Sequence, residues 1–234
     1  MTKGIIYYTT NALQDEIALP VRKKILESGL PITSVSLEPI YFGNNIVLDL
    51  KPNIITMYKQ ILTALEACDT DVVFFCEHDV LYHKTHFDFE PEKYNIFYYN
   101  TNVWQWKYPE DLAITYDNLT SLSGLCCYRE LALNHYKQRL ELIEKNEWDK
   151  DISNEPYWIR RMGYEPGVKS KRQELIKTNG YAIWQSEYSN IDIRHKNTFT
   201  SLKMTLDKFK HKPTNWKETT LDKIDGWDLK KLFN

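Results

Sequence analysis

No stretch of the 234-residue chain is apolar for long. The longest strongly apolar run, Val72-Val73-Phe74-Phe75-Cys76, falls far short of the ~20 residues that a membrane-spanning helix needs. The opening Met1-Thr2-Lys3-Gly4, followed by Ile5-Ile6-Tyr7-Tyr8, is too short and too polar-flanked to read as a signal peptide, and reads instead as a first strand. Cysteine is scarce: Cys68, Cys76, Cys126 and Cys127 show no CxxC spacing and imply no disulfide framework, so a reduced, cytoplasmic protein without a membrane span is expected. Repeats, low-complexity tracts and a Gly/Ser linker are all missing. Charge of one sign is missing too, with 30 Lys+Arg against 32 Asp+Glu. What the chain does have is aromatic: 16 Tyr, 9 Phe and 7 Trp, enough to line a stacking groove or simply to fill a core.

Hydrophobic periodicity orders the first half of the chain. Ile5 to Thr9 reads as a buried strand, and Ile17, Ala18, Val21, Ile25 and Leu26 as the apolar stripe of a helix that stops at Gly29, with Pro20 near its start. Thr33 to Leu37 is a second strand. Ile54, Met57, Tyr58, Ile61, Leu62 and Leu65 mark a second helix, and Val72 to Cys76 a third strand. This alternation predicts a mostly parallel sheet with right-handed crossovers. Ile96 to Tyr99 and Leu125 to Tyr128 are further strands, Arg129 to Asn146 a long amphipathic helix, and Pro156 to Met162 a short one ending at Gly163. From Lys196 onward nine lysines face five acids, so this last stretch is basic and the rest of the chain acidic.

Glu77-His78-Asp79 follows the third strand directly. Ligands of open α/β sheets bind beyond the carboxyl ends of the strands, so these acids sit at the expected crevice. Two carboxylates one residue apart can share a hard divalent cation that bridges a diphosphate, although acids are also ordinary turn formers. Thr9, Thr10 and Asn11, which leave the first strand, together with Glu38 after the second strand and Arg22, are candidates for holding a nucleotide. Trp104 and Trp106 alternate on one face, where sugar rings or bases can stack, and Trp158 joins them as a candidate acceptor contact.

Val72 to Asp79 resembles the strand and DxD-type metal motif of GT-A-fold glycosyltransferases, especially the family 2-like enzymes, with Glu-His-Asp in place of the commonest form. Ser153 to Tyr164 is similar to that family's catalytic-base segment, and Ile191-Asp192-Ile193-Arg194-His195 to its late strand and metal-site histidine. The resemblance implies an α/β fold: a GT-A-like Rossmann-type mixed sheet flanked by helices. It forms a single domain over 1–195, with a nucleotide-sugar half (1–99) and an acceptor half (100–195), and a basic C-terminal extension (196–234) packed on it. It implies Mn2+ or Mg2+ held by Asp79, Glu77 and His195, imidazole favouring manganese. It also implies a nucleotide diphosphate sugar donor, a UDP-sugar favoured, and Glu155 as general base with Asp151 as the fallback. The acceptor is a glycan or a nucleic acid, for which a hydroxymethylated base in phage-type DNA is one form. The rival expectations are a non-catalytic carbohydrate- or nucleic-acid-binding module, and a metal-dependent phosphoesterase built on His78, Asp79, His83 and His86.

Overall fold

The computed structural model describes residues 1–150, 156–168, 176, 180–196 and 203–233. In chain order these form β1 (Lys3–Tyr8), α1 (Asp15–Leu26), β2 (Ile32–Ser36), β3 (Asn44–Val47), α2 (Ile54–Ala67) and β4 (Val72–Glu77). There follow β5 (Val80–Leu81), β6 (Phe97–Asn100), β7 (Val103–Lys107), β8 (Ala113–Thr115), β9 (Leu125–Tyr128), α3 (Arg129–Lys145) and α4 (Ile159–Met162). The chain closes with β10 (Tyr181–Trp184), β11 (Asn190–Arg194), β12 (Lys217–Thr219) and α5 (Leu229–Leu232).

Seven strands make the main sheet in the order β10-β6-β9-β4-β1-β2-β3, parallel throughout except for β9. The fold is therefore the expected mixed α/β sheet flanked by helices. β1 and β4 are buried on both faces, which is why they read as unbroken apolar runs. Ile6, Tyr8, Val73 and Phe75 point into one core with α2 and α3, whereas Ile5, Tyr7, Phe74 and Cys76 point into another with α1. That second core is closed by a sheet of five strands, β12-β8-β7-β11-β5, which the hydrophobic pattern did not announce.

Local chemistry sets the helix limits. α1 carries Asp15 and Glu16 in its first turn, complementing the helix dipole, and gives way to Gly29, whose φ of 68° suits glycine. Pro20 lies inside this helix rather than near its start. The Asn53 side chain caps α2 by accepting from the Thr56 amide at 2.8 Å.

Candidate metal centre and its two cavities

After β1 the chain turns to β2 on one side, and the later crossover through α2 brings β4 to the other side of β1. The carboxyl ends of β1 and β4 thus flank a topological switch point, where open α/β sheets leave a crevice. A cavity of 280 Å³ opens there, lined by Tyr8, Thr9 and Thr10 from the end of β1, by Asn53, Ile54 and Met57 from the start of α2, and by Glu77, His78 and Asp79 after β4. His195 completes the wall.

The strand that follows Asp79 accounts for the arrival of so distant a residue. β5 pairs antiparallel with β11, Val80 opposite Asp192 and Leu81 opposite Ile191, and the Ile193 amide donates to the Asp79 carbonyl at 2.8 Å. β11 is thereby pinned to the β4 end, and His195, the residue after Arg194, stands beside Asp79. His195 Nε2 lies 3.4 Å from Asp79 Oδ2. Ligand atoms of His78, Asp79 and His195 all fall within 4.8 Å of one another.

The electrostatics of this corner favour a cation. Burial would raise the Asp79 carboxyl, but the close contact with His195 and the neighbouring His78 and Arg194 outweigh it and leave the group below its usual range, hence ionised. Burial holds the His78 imidazole below its ordinary value and neutral, against the pull of Asp79. A neutral imidazole keeps a nitrogen lone pair that can ligate a metal. Two imidazoles and a carboxylate are a donor set that a divalent first-row transition ion, Mn2+ included, accepts more readily than Mg2+ does.

The sequence-predicted residues are distributed unevenly around this centre. Asp79 and His195 meet as expected. Glu77 does not join them: Tyr8 Oη donates to its Oε1 at 2.7 Å, and burial, reinforced by the Asp79 charge, pushes its pKa up to about 8. His78 takes the place expected for Glu77. Thr9 and Thr10 line the cavity. The Asn11 side chain is spent on the backbone, accepting from the Leu37 and Glu38 amides at 2.9 and 3.0 Å and donating to the Glu38 carbonyl. Arg22 packs over the Tyr7 ring and Glu38 is solvent-exposed, neither of them among the residues lining this cavity.

The phosphoesterase histidines do not assemble. His83 stacks near Tyr188 and Trp227, and His86 is fully buried among Phe74, Tyr82, Phe87 and Trp184. Trp158 is buried against Trp148 with the rings 3° from parallel, and Trp106 is buried against Tyr108 and Phe233, so neither indole is placed to meet an acceptor. Trp104 is different: it is half-buried and lines a second cavity, of 710 Å³. Glu155 and Asp151 lie outside the described residues.

Sequence reasoning gave His78 a metal-binding part only in the phosphoesterase alternative, because only the acids of Glu-His-Asp fit the transferase motif, and it passed over Asp192 altogether. Asp192, partly buried and raised to about 6 chiefly by loss of solvent, is held by Gln105 at 3.2 Å and Arg194 at 3.3 Å. The alternation of Ile191, Asp192, Ile193 and Arg194 was the signal that could have found it.

No family model and no curated protein matches the chain. Among solved structures it is similar to the apo-form glycosyltransferase GlyE of Streptococcus pneumoniae TIGR4, with 13% identity and a TM-score of 0.41. The match covers 67% of this chain and 41% of that one, so the chain spans about two-fifths of the length of GlyE.

Proposed function

We propose that the protein is a metal-dependent glycosyltransferase that moves a hexosyl or pentosyl group from a nucleotide diphosphate sugar, a UDP-sugar in the favoured form, to an acceptor hydroxyl. The observation that carries this reading is the convergence of His78, Asp79 and His195 at the switch-point crevice, beside a cavity of nucleoside dimensions. His78, Asp79 and His195 are the residues that would hold the ion, and the chemistry it supplies is Lewis-acid neutralisation of charge on the departing diphosphate. Tyr8, Leu13, Ile54 and Met57 offer an apolar wall to a base, while Thr9 and Thr10 bring polar groups to the same space. The first turn of α2, which lines this cavity, carries the positive end of a helix dipole, an environment that favours phosphate.

The likeness of Ser153 to Tyr164 to a base segment assigns proton removal to Glu155, with Asp151 as the fallback. The acceptor oxygen, losing its proton to that carboxylate, forms a bond to the anomeric carbon as the bond to the diphosphate breaks, inverting the configuration.

Calorimetric titration with UDP-, GDP- and dTDP-sugars, with and without Mn2+, tests the reading. One nucleotide class should bind only with metal, and Asp79→Asn should abolish that binding and sugar transfer while leaving the far-ultraviolet dichroism unchanged. Metal-independent binding, or no binding by any class, would refute the proposal.

A further inference from the structure

The larger cavity, of 710 Å³, lies away from the metal corner. Trp104 pairs with Ile191, four residues before His195 along β11, which places it ~13 Å from the histidine end of that strand at ordinary strand rise. Its character differs from that of the nucleotide crevice. Trp104 packs against the core and also lines the cavity, as does Tyr116, which is stacked on Trp216 with the rings 9° from parallel. Around these rings stand uncharged hydrogen-bonding side chains. Asn118 and Gln185 are exposed, and among the described residues neither side chain has a hydrogen-bond partner. Among the described lining residues Lys217 is the one cation. The one carboxylate among them, Asp117, is already occupied, its Oδ2 accepting from Thr214 at 3.0 Å and Asn215 at 2.7 Å.

From this lining we infer that the cavity is a binding site for a neutral oligosaccharide. Aromatic faces cover the apolar C–H face of a pyranose ring and release its water, while free amides satisfy the hydroxyls at the ring edge. A nucleic acid strand would ask for several cations along its phosphates, and the described lining residues supply one. The binding itself is independent of the metal; its role as the acceptor subsite of a transferase rests on the function proposed above.

The experiment titrates the full chain, in buffer containing EDTA, with neutral hexasaccharides of glucose, mannose, galactose and N-acetylglucosamine in both anomeric linkages, following tryptophan fluorescence and heat. An oligothymidylate is titrated in parallel. At least one saccharide should bind, with affinity falling tenfold or more in Trp104→Ala and severalfold in Gln185→Ala and Asn118→Ala, whose exposed side chains leave folding intact. Asp79→Asn should bind the same saccharide within twofold of the unaltered chain. Failure of every saccharide, binding indifferent to all three substitutions, or salt-sensitive capture of the oligothymidylate alone would each overturn the inference. Donor binding with Mn2+ is scored on the same preparation. Saccharide binding without donor binding sinks the transferase reading and leaves this one standing, and the converse result sinks only this one.

Discussion

Glu77 and His78 are adjacent on the chain, yet the end of β4 turns one toward Tyr8 and the other toward the metal corner. The hydrogen bond from Tyr8 occupies Oε1 of Glu77, and burial favours the protonated acid, so the group is poorly suited to ligate. His78→Ala should therefore weaken Mn2+ binding by at least the roughly 10–100-fold that removing even an outer partner of a metal site costs, whereas Glu77→Gln should change it only a few-fold. Manganese titration followed by electron paramagnetic resonance distinguishes the two, and the opposite ranking would restore Glu77 to the ligand set.

His86 poses a different residue-scale question. Its Nδ1 faces the Asn100 amide at 3.0 Å and the Asn190 amide at 3.1 Å. Both amides are oriented by other bonds, Asn100 Oδ1 accepting from Asn102 and Ser186 and Asn190 Oδ1 from His83. Two donors thus aim at one lone pair, so Nδ1 must accept and the ring stays neutral, in keeping with a pKa driven down to about 3 by burial. A histidine depressed in the folded state binds its proton first in the unfolded chain. Its contribution to stability is therefore complete above the unfolded value of 6.5 and is lost as pH falls toward 3. Between pH 7.5 and 5.5 this group should remove about 1.4 kcal/mol. His86→Phe should be less stable at both pH values, because it strands two amides, but should lack that share of the slope. Urea denaturation at the two pH values reads the difference, and an unchanged slope would contradict the assignment.

At the scale of elements, the metal corner depends on pairing that no local pattern announces. The two-residue β5 is too short to register as alternation, yet its pairing with β11 brings His195 to Asp79. The long apolar strands β1 and β4 and the stripes of α1, α2 and α3 were legible because burial on both faces, or on one helical face, writes itself into composition. The five-stranded sheet was not, because β8 and β12 have three residues each and the exposed β12 buries little. The same contrast runs through the site. Asp79 was legible from its place after a buried strand, and His195 only through motif order; the side chain of Asn11 could be assigned to loop bracing only once the β2 end was seen beside it. Trp106 and Trp158 illustrate the remaining ambiguity, since an indole that packs a core and one that faces a ligand look alike in sequence. Asn53 bears on both helix and site, capping α2 where it borders the cavity. Asn53→Ala should cost about 1 kcal/mol in urea denaturation, and Asn53→Asp should restore most of it. Equal stability of all three proteins would show that the cap is dispensable.

For the molecule as a whole, the question is whether the basic end of the chain is a separable arm. Its charge suggests a solvated appendage, but its apolar residues say otherwise. β12 adds to the edge of the second sheet beside β8, and Leu221, Ile224 and Leu229 are buried in the same core as Ile5, Phe74 and Ile191. Trp227 donates from its indole to the Ser189 carbonyl at 2.7 Å, and Lys24 of α1 lies over its ring, so the segment ties α1 to the strand that carries His195. Burying a Leu or Ile side chain contributes roughly 1.5–3 kcal/mol. Three of them approach the entire net stability of an ordinary domain, about 5–15 kcal/mol. Deletion of residues 221–234 should therefore yield a chain that aggregates or loses its cooperative thermal transition, with metal and nucleotide binding lost as a consequence of unfolding. Replacing Lys223, Lys230 and Lys231 together by Gln removes the charge and keeps the apolar contacts, and should leave the melting temperature within a few degrees of the unaltered protein. Circular dichroism and gel filtration of the two variants separate the alternatives: a folded, monodisperse deletion variant would mean that the segment is an appendage after all, and that the core closes without it.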